Sequence, residues 1–344
     1  MMQKRHSSHE LAATERARRN RLLLVGLLLL LPVLACLFLF FGRYPQAGWT
    51  PPGSFWEEPL LRLILTQIRI PRILLALMAG AVLAGSGFVF QMIFANPLVE
   101  PNFLGVSQGA AFGASLVIVG FGYAPVWIQV SAAGFGMSGL LLSWALARRF
   151  RFGGWILRLV LAGIAVSAIF SSALAFLKLV AEPTRDLQDI TFWMMGGFWN
   201  ITPARLLSIL PAVLFSLVVV FCYRWRLNLL SLNDRTAHSV GMIPIRDKTI
   251  LLAAATIGTT AVISVSGLIG WVGLIIPHLA RRVFGADSRH ALPGAILIGA
   301  LFLLLCDTVA RTLFASEIPI GLLTSILGAF GFIFILIQRR GGLR

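Results

Sequence analysis

Ten long apolar stretches constrain this chain more than any other feature of its sequence. Each is long enough, or nearly so, to cross about 30 Å of hydrocarbon. A segment of this length satisfies its backbone hydrogen bonds in lipid as an α-helix. We therefore predict an all-α integral membrane protein with about ten transmembrane helices. The predicted spans are 22–42, 72–93, 103–122, 125–147, 158–180, 203–223, 249–266, 268–284, 292–311 and 319–338.

Composition and charge exclude other classes of protein. The chain of 344 residues is 58% hydrophobic and 12% charged, whereas soluble domains carry about 25% charged residues. The net charge of +16 would suit nucleic acid, but the basic residues cluster at the ends of the apolar stretches. Enrichment of Lys and Arg in cytoplasmic loops is the ordinary cause of such a bias in a membrane protein. We expect no nucleic-acid partner.

The stretch 249–284 and the two charged termini decide the number of spans. That stretch is too long for one helix and has no polar loop, but it contains the helix breakers Gly267, Gly270, Gly273 and Pro277. If it forms two spans, the total is even, and the basic N-terminus and the C-terminal arginines share one side. The positive-inside rule makes that side the cytoplasm. We predict a cytoplasmic basic tail at 1–21 and a ten-helix transmembrane domain at 22–340, with both termini cytoplasmic.

The sequence offers no constellation for covalent chemistry. No GxxxxGK[ST] phosphate-binding loop occurs, so the chain lacks that route to ATP hydrolysis. None of the five histidines has a cysteine or carboxylate partner near the middle of a span. We therefore predict no metal site, no catalytic residue and no cofactor in this chain, which disfavours an integral membrane enzyme.

Four local patterns occur in order along the chain. They are Arg69-Ile70-Pro71-Arg72 followed by Gly80-Ala81-x-Leu83-Ala84-Gly85-Ser86-Gly87 and Gln91, then Asn96-Pro97-Leu98-x-x-Pro101, then Gly270-Trp271-Val272-Gly273 with Pro277-His278, and finally Asp307-x-x-Ala310-Arg311 with Glu317-x-Pro319-x-Gly321. Together they resemble the permease family of ABC importers for iron-siderophores, haem and cobalamin. The resemblance extends from about Arg69 to the C-terminus.

This resemblance implies a type II ABC importer permease in the bacterial plasma (inner) membrane. It implies a dimer around a central path, two cytoplasmic ATPase subunits that bind the ATP and Mg, and an extracytoplasmic substrate-binding protein, with membrane lipid around the dimer. The second permease subunit is expected to be identical, although a similar but distinct chain is the alternative. The implied cargo is a metal chelate (iron-siderophore or haem) or cobalamin, and the sequence does not choose among them.

Arg69, Arg72 and Arg311 are predicted to lie at the outer ends of two spans. Three guanidiniums at one surface could bind carboxylates of a partner through bidentate hydrogen bonds. Two other interpretations are open: the arginines anchor the helices at the headgroups, or Arg311 pairs with Asp307, four residues earlier on the same helix. The family resemblance implies docking of the binding protein.

The segment 228–248 lies between the sixth and seventh predicted spans, on the cytoplasmic side. Asp234 and Ala237 fit a short amphipathic helix, and Gly241 suits its termination. The resemblance implies that this helix couples the permease to the ATPase, and the alternative is a plain connecting loop.

Asn96, Pro97 and Leu98 follow the second span on the inner side. Pro97 disfavours a helical conformation at Asn96, so the backbone must turn there. The resemblance implies that this turn helps close the cytoplasmic end of the path, whereas the alternative is an ordinary structural loop.

An ion-coupled secondary transporter is the main alternative function. Such proteins usually place several ionisable residues at membrane depth. Only Asp307 and Lys178 come close to that depth here, and both lie near the ends of their spans.

Overall fold

The structure is a computed structural model that describes residues 2–44, 48–232, 234–239, 241–313 and 316–339. The helices are α1 (Met2–Leu39), α2 (Ser54–Glu57), α3 (Pro59–Ile64), α4 (Ile70–Ile93), α5 (Val106–Phe121), α6 (Pro125–Arg149), α7 (Trp155–Val180), α8 (Asp186–Met195), α9 (Pro203–Cys222), α10 (Arg224–Leu230), α11 (Asp234–Ser239), α12 (Pro244–Ser266), α13 (Val272–Phe284), α14 (Ser288–Thr312) and α15 (Ile320–Arg339). A π-helical segment, Leu65–Arg69, joins α3 to α4, and a 3-10 turn, Pro101–Leu104, precedes α5. The strands β1 (Phe41–Gly42) and β2 (Gly48–Trp49) form a small antiparallel pair.

Ten of these helices correspond to the ten predicted spans: α1, α4, α5, α6, α7, α9, α12, α13, α14 and α15. Within the described residues, 7 helices are long and apolar enough to cross a membrane by themselves. Of the other three, α5 has 16 residues, α13 has 13 and α15 has 20. Helix α13 rises only about 20 Å. The all-α membrane fold predicted from the sequence is confirmed.

The centre of the bundle is built from α4, α12 and α14. Most of α4 and α12 is buried, whereas the apolar part of α1 is not buried at all. Helices α4 and α14 pack at backbone contact distance, because a Cβ atom added to Gly80 would lie 2.1 Å from the carbonyl oxygen of Gly299. Small residues allow such close approach between membrane helices. The peripheral α1 exposes large apolar side chains of the kind that face lipid.

Two helix boundaries differ from the sequence prediction. The second predicted span begins at 72, but the structure continues this helix back through the π-helical segment to Pro59. Arg69 therefore lies within a continuous helix rather than at its start. Likewise, α1 runs without a break across the predicted boundary between the tail and the first span at 21/22. Both extensions are too polar to belong to the apolar stretches that hydropathy detects.

The predicted division of the stretch 249–284 is confirmed, and the structure places the break at residues 267–271. Gly267 ends α12 with φ of +68°, and Trp271 precedes α13 with φ of +71°. A side chain at Gly267 would also collide with the backbone, since its Cβ atom would lie 2.1 Å from the carbonyl oxygen of Trp193. Pro277, which the sequence suggested as another break point, lies inside α13.

Candidate docking, coupling and gating sites

The three arginines predicted to dock a partner lie together where α4 begins and α14 ends. With the carboxylates Asp307 and Glu317 they form what we call the arginine cluster. All three arginines are buried, with between 4% and 8% of their surface exposed. The sequence predicted that these side chains face outward. In the single chain, however, they bind partners inside the protein.

Arg72 is the centre of the arginine cluster. Its Nε donates to Asp307 Oδ1 at 2.6 Å, and its Nη1 donates to both oxygens of Glu317 at 2.7 Å. Asp307 is fully buried, whereas the Glu317 side chain is 43% exposed. Short charge-assisted bonds of this kind are the strong ones in proteins. Arg72 thus ties α4 to α14 and to the segment that follows it.

Arg311 and Arg69 bind the end of α1 to the arginine cluster. Arg311 Nε lies 3.6 Å from Asp307 Oδ2, four residues away on α14, so the ion pair that the sequence spacing offered as an alternative is present. Its Nη2 donates to the carbonyl oxygen of Phe38. Arg69 donates to the carbonyl oxygens of Leu39 and Tyr44, at 3.0 Å each. These contacts hold the loop after α1 against α4 and α14.

Docking of a partner at the arginine cluster stays a prediction. A carboxylate from a partner would have to displace Glu317, the exposed member of the cluster, or add to the network around it. Sequence reasoning gave Glu317 no role, although it belongs to the fourth motif. Its partner Arg72 lies 245 residues away in the chain, so no local spacing could have paired them.

The predicted coupling segment forms two short helices before α12. Ala237 on α11 is fully buried, and its carbonyl oxygen accepts a hydrogen bond from the Met242 N–H at 3.2 Å. Gly241 follows with φ of +81°, so the predicted termination of the helix at this glycine is confirmed. Asp234 begins α11, but its side chain lies outside the described residues. The coupling role itself stays a prediction.

An ion pair and a concave surface lie between α10 and α12, next to α11. Arg226 Nη1 on α10 donates to Asp247 Oδ1 on α12 at 3.0 Å, and Asp247 is buried. A cavity of about 490 Å³ lies beside Gly241, between α10 and the start of α12, and its lining includes Trp225 and Arg246. Because the Met242 N–H also binds the Ala237 carbonyl oxygen, a displacement of α11 would reach α12, which lies at the centre of the bundle.

The predicted gate residues form a tight turn after α4. Ala95 has φ of +47°, and Asn96 Oδ1 accepts a hydrogen bond from the Leu98 N–H at 2.9 Å. An asparagine side chain that binds its own backbone two residues on is a common turn device. Asn96 and Pro97 line a cavity of about 610 Å³ whose other walls come from α4, α13 and α15. The turn thus lies at an opening of the bundle, and its gating role stays a prediction.

Two polar residues to which the sequence analysis assigned no role support this turn. Gln91 Nε2 donates to the carbonyl oxygens of Gly273 at 3.2 Å and Leu274 at 3.0 Å, which fixes α4 against the start of α13. Glu100 accepts a hydrogen bond from Asn102 Nδ2 at 2.7 Å. Burial raises the pKa of the Glu100 carboxyl, and the bond from Asn102 opposes this rise. Gln91 was visible as the end of the first motif.

The chain matches the family model of the FecCD transport family over residues 22–338. Among its relatives, the molybdate import system permease MolB of Haemophilus influenzae is 39% identical over 330 residues, covering 93% of this chain and 97% of MolB. The vitamin B12 import system permease BtuC of Klebsiella pneumoniae is 39% identical over 327 residues, covering 94% of this chain and 96% of BtuC.

The fold is similar to that of a solved metal-chelate type ABC transporter in an inward-facing conformation. The two share 38% sequence identity with a TM-score of 0.82, and the match covers 92% of this chain and 99% of that chain. The similarity in sequence and the similarity in fold therefore both extend over nearly the whole length of the two proteins.

Proposed function

The chain belongs to the FecCD transport family, and from this premise we propose how it works as the permease of an ATP-driven importer. It is a multi-pass inner-membrane transport subunit of the ABC importer type. The observation that carries this function is the family match over residues 22–338, together with a helix for each of the ten predicted spans.

We infer that two partner ATPase subunits bind the ATP and Mg and supply the energy. Helix α11 is the surface we assign to them, through Asp234, Ala237 and Gly241. It is short, and the hydrogen bond from the Met242 N–H to its Ala237 carbonyl oxygen ties it to the segment that begins α12. Closure of the ATPases would move α11 and so shift α12 against α4. Rigid-body movement of packed helices is an established way of switching a path between two open states.

We assign the other two functional surfaces to the remaining motifs. The arginine cluster would receive acidic residues of the extracytoplasmic binding protein, with Glu317 as the internal carboxylate that yields to them. The turn at Asn96, Pro97 and Leu98 would close the cytoplasmic opening. A second, identical permease subunit would complete the path. The two-fold symmetry of this dimer would supply one docking surface for each lobe of a bilobed binding protein.

We propose that the cargo is a metal enclosed in an organic ligand, such as an iron-siderophore, haem or cobalamin. Relatives of equal identity, 39%, are named for molybdate and for vitamin B12, so similarity does not choose between them. From α4 to α15, every charged residue lies within two turns of a helix end. Within the described ranges, no cluster of His, Cys, Asp or Glu could hold a metal ion. A bare ion or oxyanion would lose its hydration water along the path and would find no charged side chains to replace it. A metal enclosed in an organic ligand needs no such partners.

Uptake by the reconstituted importer tests this proposal. The full chain, its ATPase and its binding protein are placed in liposomes with ATP, and uptake of a ferric siderophore, haemin, cyanocobalamin and molybdate is compared. We expect ATP-dependent uptake of one of the three metal complexes. Uptake of molybdate alone would contradict the proposed cargo, and uptake that needs an ion gradient instead of the ATPase would contradict the coupling.

A further inference from the structure

A large basic cavity lies at the opposite end of the bundle from the arginine cluster, between α1 and the loop that joins α13 to α14. Its volume is about 930 Å³, and five arginines line it: Arg16, Arg19, Arg21, Arg282 and Arg289. We call it the basic cavity. Neither the docking, coupling nor gating assignments use it.

The basic cavity has far more positive than negative charge. Its carboxylate, Asp287, accepts hydrogen bonds from Arg289 Nε at 2.9 Å and Asn228 Nδ2 at 2.7 Å. Burial raises the pKa of Asp287, but the hydrogen bonds from Arg289 and Asn228 outweigh it and keep the pKa below its usual value, so the carboxylate stays ionised. Within the part of the chain that the structure describes, the other four arginines have no ion-pair partner. A concave surface with this excess of charge concentrates anions.

Asn20 adds a second, independent feature. Its side chain is 94% buried, since only 6% is exposed, and it lines the basic cavity. Its Nδ2 donates to the carbonyl oxygen of Phe284 at 2.7 Å, but its Oδ1 is buried with no hydrogen-bond partner. A buried acceptor without a donor is unfavourable, because it has lost its hydrogen bonds to water. The cavity therefore suits an anion that also carries a hydroxyl or similar donor.

The position of the basic cavity points to lipid. Immediately after Arg21, helix α1 exposes Leu22, with 64% of its surface accessible, and Val25, with 53%. These side chains begin the apolar part of a peripheral span, so the arginines lie at the level of the headgroups. Val283, 38% exposed, contributes apolar surface to the cavity itself. Basic pockets between transmembrane helices at this level are suited to anionic lipid headgroups.

We propose that the basic cavity binds an anionic phospholipid of the phosphatidylglycerol type. The phosphodiester lies among the arginines of α1 and Arg282, a glycerol hydroxyl donates to Asn20 Oδ1, and the acyl chains run along the exposed apolar face of α1. The bound lipid joins α1 to the α13–α14 loop, and so adds to the bond between Asn20 on α1 and Phe284 at the end of α13.

Native mass spectrometry of the full chain in detergent, with phosphatidylglycerol added, tests the proposal. We expect phosphatidylglycerol to be retained and zwitterionic phosphatidylethanolamine to be lost. Arg19→Gln should lower the bound fraction about fivefold. Arg18→Gln is the matched control, because Arg18 is the neighbouring exposed arginine on the same helix and does not line the cavity. Arg282→Gln, on another helix, repeats the test if Arg19→Gln fails to fold.

Three results would overturn the proposal. Equal losses for Arg18→Gln and Arg19→Gln would mean that only the general surface charge attracts the lipid. Displacement of the lipid by millimolar inorganic phosphate would assign the cavity to free phosphate. Phosphatidic acid has no glycerol headgroup. If it is retained as well as phosphatidylglycerol, the hydroxyl contact to Asn20 does not contribute to binding.

Discussion

At the scale of single residues, Asp307 and Glu317 share Arg72 but differ in burial. Asp307 is 0% exposed and Glu317 is 43% exposed. Breaking a buried pair leaves a charge without compensation and typically costs about 3–5 kcal/mol, whereas an exposed pair contributes at most about 1 kcal/mol. We expect Asp307→Asn to lower the free energy of unfolding several times more than Glu317→Gln does. Unfolding of the purified variants in detergent measures this, and equal losses would contradict the assignment.

Arg69 provides a second test at this scale, concerning docking. Reversing its charge in Arg69→Glu should weaken binding of the extracytoplasmic binding protein, and the loss should depend on salt. A reversed charge on the partner's acidic residue should restore part of the affinity. Because Arg69 also donates to two carbonyl oxygens, affinity is measured only for variants with an unchanged melting temperature. Unchanged affinity in folded Arg69→Glu would make Arg69 a purely structural residue.

The residues of the arginine cluster also illustrate what the sequence can reveal. The pair Asp307–Arg311 was predictable because residues four apart lie on one helical face, and the structure confirms it. The bonds between Arg72 and Glu317 were not predictable, because the two residues come together only through the packing of α4 against α14. The free Oδ1 of Asn20 likewise depends on the position of Phe284, 264 residues away.

At the scale of elements, the end of α11 can be tested through its terminal glycine. Gly241 has φ of +81°, and an added Cβ atom would meet nothing within 4 Å. A substitution there therefore strains the backbone, by about 1–2 kcal/mol, without a steric clash. We expect Gly241→Val to weaken ATPase association about tenfold, or to reduce the cargo moved per ATP hydrolysed. Binding and uptake assays on the reconstituted complex measure both.

Gly285 is the matched control for this experiment. It also has a positive φ, +88°, and no atom within 4 Å of an added Cβ, but it ends α13 rather than α11. Gly285→Val should carry a similar backbone strain and leave ATPase coupling unchanged. If both variants lose coupling to the same degree, α11 is not the specific contact.

Hydropathy predicted the helices that cross the membrane and missed the short helices that do not. The ten apolar helices were predictable because each must be apolar to cross the membrane. The helices α3 and α8 are too short or too polar for this signal, and tertiary contacts fix them. The even number of spans predicted the division of 249–284, and the predicted spans placed its start at Gly267, which the structure confirms. The extent of the break to Trp271 was not predictable, because it depends on how the chain packs against Trp193 and α15.

At the scale of the whole molecule, two cavities show where the first and last spans lie relative to each other. Arg282 lines both the opening beside Ile335 on α15 and the basic cavity beside Arg16 on α1. The start of the first span and the end of the last therefore lie at one end of the bundle. An even number of crossings follows from this geometry, in agreement with the ten predicted spans. The positive-inside rule predicts that this end faces the cytoplasm.

Cysteine labelling tests this orientation. In a variant in which Cys36, Cys222 and Cys306 are replaced, single cysteines at Ser8 and at Gly342 should react with an impermeant reagent only after the cells are permeabilised. A cysteine at Thr184, an exposed residue between α7 and α8, should react in intact cells, because five crossings place it outside. Labelling of Gly342 alone in intact cells would mean an odd number of spans. Labelling of both terminal positions in intact cells, with Thr184 protected, would keep ten spans but invert the protein, and would move the arginine cluster to the ATPase side.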